Sequence, residues 1–217
     1  MKCIRRMTVQ DREAINQLRV CEFQRSGQFE LLKPERLLWN HVDDENIVLA
    51  ALRAPGQPVS TMRGVVVGSA VEASAFVECT VPRHVAFPAI VFSSAATHQD
   101  YRKLGLNQAI RYHFLTSAVR CGIESILSPI YIGAPRITFM KALGYTFEAP
   151  EKCWQTKLNP KTQRILGVLT RNHFRRALAH IQQTRPQILE RYPWRGKLID
   201  LIRQPNSQNA RKMSTAG

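Results

Sequence analysis

An apolar, β-rich run, Ala89-Ile90-Val91-Phe92-Ser93-Ser94-Ala95-Ala96, leads through a short turn into the most regular helix pattern in the chain. From Asn107 to Arg120, Ile110, Phe114 and Ala118 recur every four residues, and Gly122 stands where a left-handed C-cap ends such a helix. A strand feeding a helix in this way is one unit of an α/β fold. The turn Thr97-His98-Gln99-Asp100-Tyr101 delivers Arg102-Lys103-Leu104-Gly105-Leu106-Asn107 to the helix start. Free amides and the helix dipole favour negative charge there. Gly105 lets the backbone approach a ligand closely, and Arg102 and Lys103 add positive charge. The segment therefore predicts a phosphate or pyrophosphate ligand.

Around this unit, Ile4-Arg5-Arg6-Met7 reads as a first strand, and Thr8-Val9-Gln10-Asp11 has capping-box spacing. The helix that follows would bury Ile15, Leu18 and Cys21 before Ser26-Gly27 ends it. A short helix is expected from Pro34 through Trp39. Strands at Asn46 to Leu52 and Gly64 to Val71, joined by the Pro- and Gly-bearing Ala54 to Thr61, suggest an antiparallel pair. The stretch Ala73 to Phe87 carries no assignable pattern. Beyond Gly122 the order is a strand at Ile123 to Ile130, a helix across Pro135 to Ala142, and strands at Tyr145 to Glu148 and Cys153 to Leu158. Asn159-Pro160 then has the form of an N-cap and first position of a helix through Ile181. The expected fold is α/β, with a mixed, mostly antiparallel sheet flanked by helices.

The net charge of +15 is unevenly divided. Residues 1–156 carry +4 and residues 157–217 carry +11, so the basicity belongs mainly to the C-terminal part. Such asymmetry suits an anionic partner or a solvated basic helix face. The five cysteines are scattered, with no Cys-x-x-Cys pair, which favours reduced thiols in a cytoplasmic protein. No His, Cys and carboxylate spacing marks a metal site. Charges in Met1-Lys2-Cys3-Ile4-Arg5-Arg6 argue against a signal peptide, and no stretch approaches the roughly 20 apolar residues of a membrane span.

The segment His98-Gln99-Asp100-Tyr101-Arg102-Lys103-Leu104-Gly105-Leu106-Asn107 resembles the acyl-donor motif of the GNAT superfamily of acyltransferases, with Asn107 replacing its last small residue. Ile4-Arg5-Arg6-Met7-Thr8 with Asp11 and Leu18 resembles the family's opening strand and helix. Phe139-Met140-Lys141-Ala142-Leu143-Gly144-Tyr145 resembles its late helix-to-strand motif. The likeness spans about residues 3–158. The division expected is thus a GNAT-like domain at 1–158, a basic helical extension at 159–203 and a tail at 204–217.

The resemblance implies an acyl-CoA donor, with acetyl-CoA foremost, cradled by Arg102 to Asn107. Its pantetheine amides would pair with main-chain groups near Ala95, Ala96 and Thr97. The thioester would lie between the strand Ala89 to Ala96 and the strand Ile123 to Ile130, open to direct attack by a neutral amine. The tyrosine the family commonly offers as acid falls at Met140, and an asparagine it often carries falls near Gly133. Tyr131 is the substitute acid expected here. Glu78, flanked by Val77 and Cys79 in an apolar stretch, is the carboxylate expected as base. Ser93 and Ser94 could order a water, whereas His98 and His113 read as structural.

An acetyl-CoA-dependent N-acetyltransferase acting on a small amine, an amino acid or a protein amine is the first reading. Long-chain N-acyl amino acid synthases and acyl-homoserine-lactone synthases resemble the same fold and also depart from the usual acid. They take acyl groups from acyl carrier protein or long-chain acyl-CoA. Arg171, Arg175, Arg176, Arg185, Arg191, Arg195 and Lys197 could dock an acidic carrier protein. The apolar positions Ile165, Leu169, Phe174, Leu178 and Ile181 more simply suggest a helix packed on the core or on a homodimer partner. A third reading is a GNAT-like module that binds without catalysis. Nucleic acid is not the expected partner.

Overall fold

A computed structural model describes residues 1–27, 37–132, 134–149 and 164–196. The chain runs β1 (Cys3–Arg6), a 3-10 turn (Val9–Asp11), α1 (Arg12–Arg25), α2 (His41–Glu45), β2 (Ile47–Ala54), β3 (Gln57–Val67), α3 (Ala70–Val77) and β4 (Ala89–Thr97). It continues with a 3-10 turn (Gln99–Tyr101), α4 (Leu106–Arg120), β5 (Ser125–Tyr131), α5 (Arg136–Ala142), β6 (Thr146–Glu148), β7 (Arg164–Thr170), α6 (Arg171–Thr184), α7 (Pro186–Arg191) and β8 (Trp194–Arg195). The strands form one sheet in the order β6-β7-β5-β4-β3-β2-β1-β8. The pairs β4–β5 and β1–β8 are parallel and the others antiparallel.

Successive side chains of a strand point to opposite faces, and β2 shows both faces covered. Ile47, Leu49 and Ala51 join the main core under α4 and α6, while Val48, Ala50 and Leu52 pack with Ile15 and Trp39. The four-residue pattern of α4 does what its spacing implies, since Ile110, Phe114 and Ala118 are all buried. Phe114 comes so close to the sheet that a Cβ at Gly64 would lie 2.5 Å from its Cε1. Gly64 is thus required for α4 to seat on β3.

Several expectations change. The capping box forms at Thr8 and Asp11, but its helix opens with a 3-10 turn before α1. Cys21 is exposed, and α1 buries Arg19 and Glu22 in the positions that face the sheet. The linker Ala54 to Thr61 is a tight hairpin at Pro55-Gly56, because β3 already begins at Gln57. Residues Ala70 to Val77 are helical, capped by the Ser69 side chain, so β3 stops before the expected Val71. The helix expected from Asn159 to Ile181 begins only at Arg171. Before it, β7 pairs along the whole of β5. Residues past 158 therefore supply a sheet strand, and α6 inserts Phe174, Ala177 and Ile181 into the main core. Most of the expected Pro34 helix, the strand Cys153 to Leu158, Asn159-Pro160, Lys197 and the tail 204–217 lie outside the described residues.

Candidate functional site: a cleft between two parallel strands

β4 and β5 pair only through Ala89, Ile90 and Val91, opposite Ser125, Ile126 and Leu127. Beyond Val91 no further pair joins them, and each strand follows its other neighbour. β5 stays with β7 to Tyr131, while β4 follows β3. The β3–β4 register jumps from Arg63↔Ser93 to Thr61↔Ala96, so Ser94 and Ala95 together oppose Met62. This is a bulge, and Ser94 takes the left-handed φ of 49° within it. The bulge turns β4 away from β5 and opens a cavity of about 310 Å³ in the sheet. Its walls include Phe92, Ser93, Ser94 and Ala95 on one side and Ser128, Ile130 and Tyr131 on the other.

At the open end of the cleft, β4 turns into α4. His98 accepts the Asp100 amide at 3.4 Å, a structural cap of the 3-10 turn. Lys103 and Gly105 both take left-handed φ values, 63° and 89°. No acidic side chain lies in the first turn of α4, and no side chain caps it by a hydrogen bond. Lys103 and Leu104 are exposed, whereas Leu106 is buried in the core. Arg102 is not a loose cation as its position in the motif suggests. Its Nη2 donates to Glu22 Oε2 at 2.7 Å, and Glu22 Oε1 also accepts the Gln99 amide at 3.2 Å. Buried Glu22 thus ties the turn to α1. The basic group beside Gly105 is instead Arg185, whose Nε donates to Gln108 Oε1 at 2.7 Å. The sequence signal for Arg185 was weak, because it lies 80 residues downstream of Gly105.

Asn107 also has a role that its place in the motif does not reveal. Its Oδ1 accepts from Arg111 Nε at 3.0 Å, one helical turn on. Arg111 is buried, donates to Tyr145 Oη at 3.0 Å, and stacks 5.0 Å from the centre of the Phe92 ring. Asn107 replaces a small residue because it holds this arginine against the cavity floor. On the opposite wall, Asp43 bridges Arg19 at 2.8 Å and Arg63 at 3.1 Å, and Arg63 donates to Ser93 Oγ at 2.9 Å. Arg19, Asp43 and Arg63 are all buried, a triad whose hydrogen bonds offset its desolvation.

Of the residues expected to react, Tyr131 lines the cavity. Glu78 does not. It is the left-handed C-cap of α3 with φ 55°, and only Ala75 and Phe76 of that helix reach the cavity wall. The helix geometry explains this, because Glu78 sits past the last turn. Met140 is fully buried and has no proton to give, and Gly133 lies outside the described residues. Ala96 and Thr97 pair with β3, the Thr97 hydroxyl meeting Ser60 Oγ at 2.8 Å, so Ser94 and Ala95 are the bulged residues at the cleft. Among the described residues no cluster of His, Cys, Asp or Glu could hold a metal ion, and no helix is long and apolar enough to cross a membrane.

No known family's sequence pattern matches the chain, and no curated protein matches it by sequence. Solved structures do. The CoA-dependent acyl-homoserine lactone synthase BjaI, solved with SAM and isopentyl-CoA, superposes with a TM-score of 0.60 at 13% identity, over 92% of this chain and 98% of its own. FeeM, an N-acyl amino acid synthase from uncultured soil microbes, gives 0.55 at 15% identity, over 85% and 99%. The GNAT domain of S. lividans PAT gives 0.52 at 17% identity, over 77% and 89%. With its eight-stranded mixed sheet, in which β4 and β5 pair over only three residues, the chain has a GNAT-like fold.

Proposed function

We propose that the protein is an N-acyltransferase that moves an acyl group from acyl-CoA to an amine by direct attack. The observation that carries this reading is the coincidence of two features. The pairing of β4 with β5 stops short of the bulged Ser94 and Ala95, which line the cleft, and the same strand leads to the side-chain-uncapped N-terminus of α4. A diphosphate at that helix mouth, with Arg185 beside it, leaves the pantetheine arm running along β4 and its thioester in the cavity. The amine attacks the thioester carbon, water held by Ser93 and Ser94 takes the ammonium proton, and Tyr131 supplies a proton to the departing thiolate. Glu78 is not among the residues that line the cavity and has no part in this scheme. The cavity of about 310 Å³ stands at the small end of ligand pockets, about 300–1,000 Å³, and so accepts acetyl and other short acyl groups most readily.

A second reading, a synthase-like enzyme with a longer acyl chain or a carrier-protein donor, is favoured by the extent of structural likeness. The two synthases cover 92% and 85% of the chain, against 77% for the GNAT domain of S. lividans PAT. The exposed Arg175, Arg176 and Arg191 give an acidic carrier a surface to meet. Mass spectrometry after incubation with acetyl-CoA, octanoyl-CoA, palmitoyl-CoA and acyl carrier protein thioesters, each with a mixture of amines and amino acids, separates the readings. Acyl transfer from short-chain CoA supports the first, and preference for long chains or carrier protein supports the second. Failure to bind any donor leaves only a non-catalytic module.

A further inference from the structure

Among the described residues that line the cavity, three are arginines and none is an aspartate or glutamate. Arg63, Arg111 and Arg136 all line it. Arg63 is matched by Asp43, but Asp43 is already shared with Arg19. Arg111 and Arg136 have no carboxylate partner among the described residues. The groups that hold Arg111 are neutral: Asn107, Ser128, Tyr145 and the face of Phe92. Such contacts orient a guanidinium without cancelling its charge, and an uncompensated buried cation costs folding free energy. Arg136, from the first turn of α5, is exposed to solvent and lines the cavity. Desolvation and the charge of Arg111 lower its pKa to about 10, so Arg136 stays cationic at neutral pH.

A buried guanidinium and a solvent-exposed one lining the same cavity both attract an anion that enters it, and the buried one gains most from such a partner. The CoA phosphates belong at the mouth of α4, so an anion between Arg111 and Arg136 has to be part of the reacting moieties. We infer that Arg111 and Arg136 form a subsite for a carboxylate carried by one of the two substrates. The planar fork of each guanidinium matches that group. The carboxylate belongs either to an amino acid acceptor or to the far end of a dicarboxylic acyl group. This inference rests on the acyl-transfer reading.

Steady-state kinetics on the full chain test it. The donors are butyryl-CoA and succinyl-CoA, and the acceptors are amino acids and their amides. For one of the two pairs, the carboxylated member has a KM roughly tenfold or more below that of its neutral counterpart. Acceptor discrimination assigns the carboxylate to the amine, and donor discrimination assigns it to the acyl group. Arg111→Met and Arg136→Gln each raise KM for the carboxylated substrate more than for its neutral counterpart, so that most of the preference is lost whatever the change in overall activity. Should Arg111→Met fail to fold, Arg136→Gln at the accessible position carries the test. Equal kcat/KM for charged and neutral members of both pairs, or no transfer with the carboxylated members, overturns the subsite. CoA titration calorimetry separates the two failures. CoA binding with no carboxylate preference sinks the subsite alone, whereas absence of CoA binding sinks the acyl-transfer reading and the subsite with it.

Discussion

At Gly105 the backbone takes a φ of 89°, and a Cβ built there would lie 3.0 Å from Arg185 Cδ and 3.2 Å from its Nε. Gly105→Asp therefore strains the turn by about 1 kcal/mol and sets a carboxylate among the amides meant for diphosphate. CoA affinity is expected to fall roughly tenfold or more. Calorimetry showing unchanged affinity in a folded variant would contradict the donor site. Chemistry divides differently from affinity. If Tyr131 supplies the leaving-group proton, Tyr131→Phe lowers kcat on the order of a hundredfold while CoA affinity stays within about twofold. Glu78→Gln, outside the cavity, is expected to leave kcat within about twofold, and a large loss there would restore Glu78 as the base. The turn from β4 into α4 was legible as a strand-to-helix junction because its glycine and the apolar helix pattern sit together in sequence, whereas the pairing of Arg102 with Glu22 was not. Glu22, Arg185 and Asp43 were not, because each acts through contacts that close over long separations in sequence.

The helix α4 carries a second kind of information, in how its flanks respond to pH. His113 Nε2 is buried without a hydrogen-bond partner among the described residues, and the ring packs 5.1 Å from that of Trp194. Burial lowers its pKa to about 4 from the ordinary 6.5. The sign follows from proton counting. Between pH 6.5 and 4 the unfolded chain binds a proton at His113 and the folded chain does not, so stability falls as pH drops through this window and is level above it. The loss approaches about 3 kcal/mol at the acid end. His113→Phe removes that contribution, so urea unfolding of the two proteins at pH 7.5 and pH 4.5 should show a smaller acid loss in the variant. Parallel losses would mean that the imidazole is solvated in the fold. Element identity was clear for α4 because its apolar spacing admits only a helix. It was ambiguous for β7, where Ile165, Leu166, Val168 and Leu169 fit a buried strand as well as a helix face, and Asn159-Pro160 tipped the reading toward a helix.

On the scale of the whole molecule, that ambiguity moved the edge of the fold. The uneven charge, +11 over residues 157–217, makes the C-terminal part look like an appendage. Its charges do lie outward, at Arg171, Arg175, Arg176, Arg191 and Arg195. Its apolar residues lie inward, since β7 covers one edge of β5 and α6 sets Phe174, Ala177 and Ile181 against α4 in the main core. Burying Phe174 and Ile181 alone contributes about 1.5–3 kcal/mol each, a large share of the 5–15 kcal/mol that a typical domain has in total. Removing β7 also strips the hydrogen-bond partner from one edge of β5, the strand that forms half of the cleft. A chain ended after residue 158 is therefore expected to lose cooperative thermal unfolding and CoA binding together, while Phe174→Ala in the full chain costs about 3–5 kcal/mol and leaves the cleft residues in place. A residues 1–158 fragment that melts cooperatively and still binds CoA would show that the C-terminal strand and helix are accessories to the fold and not part of what holds the cleft open.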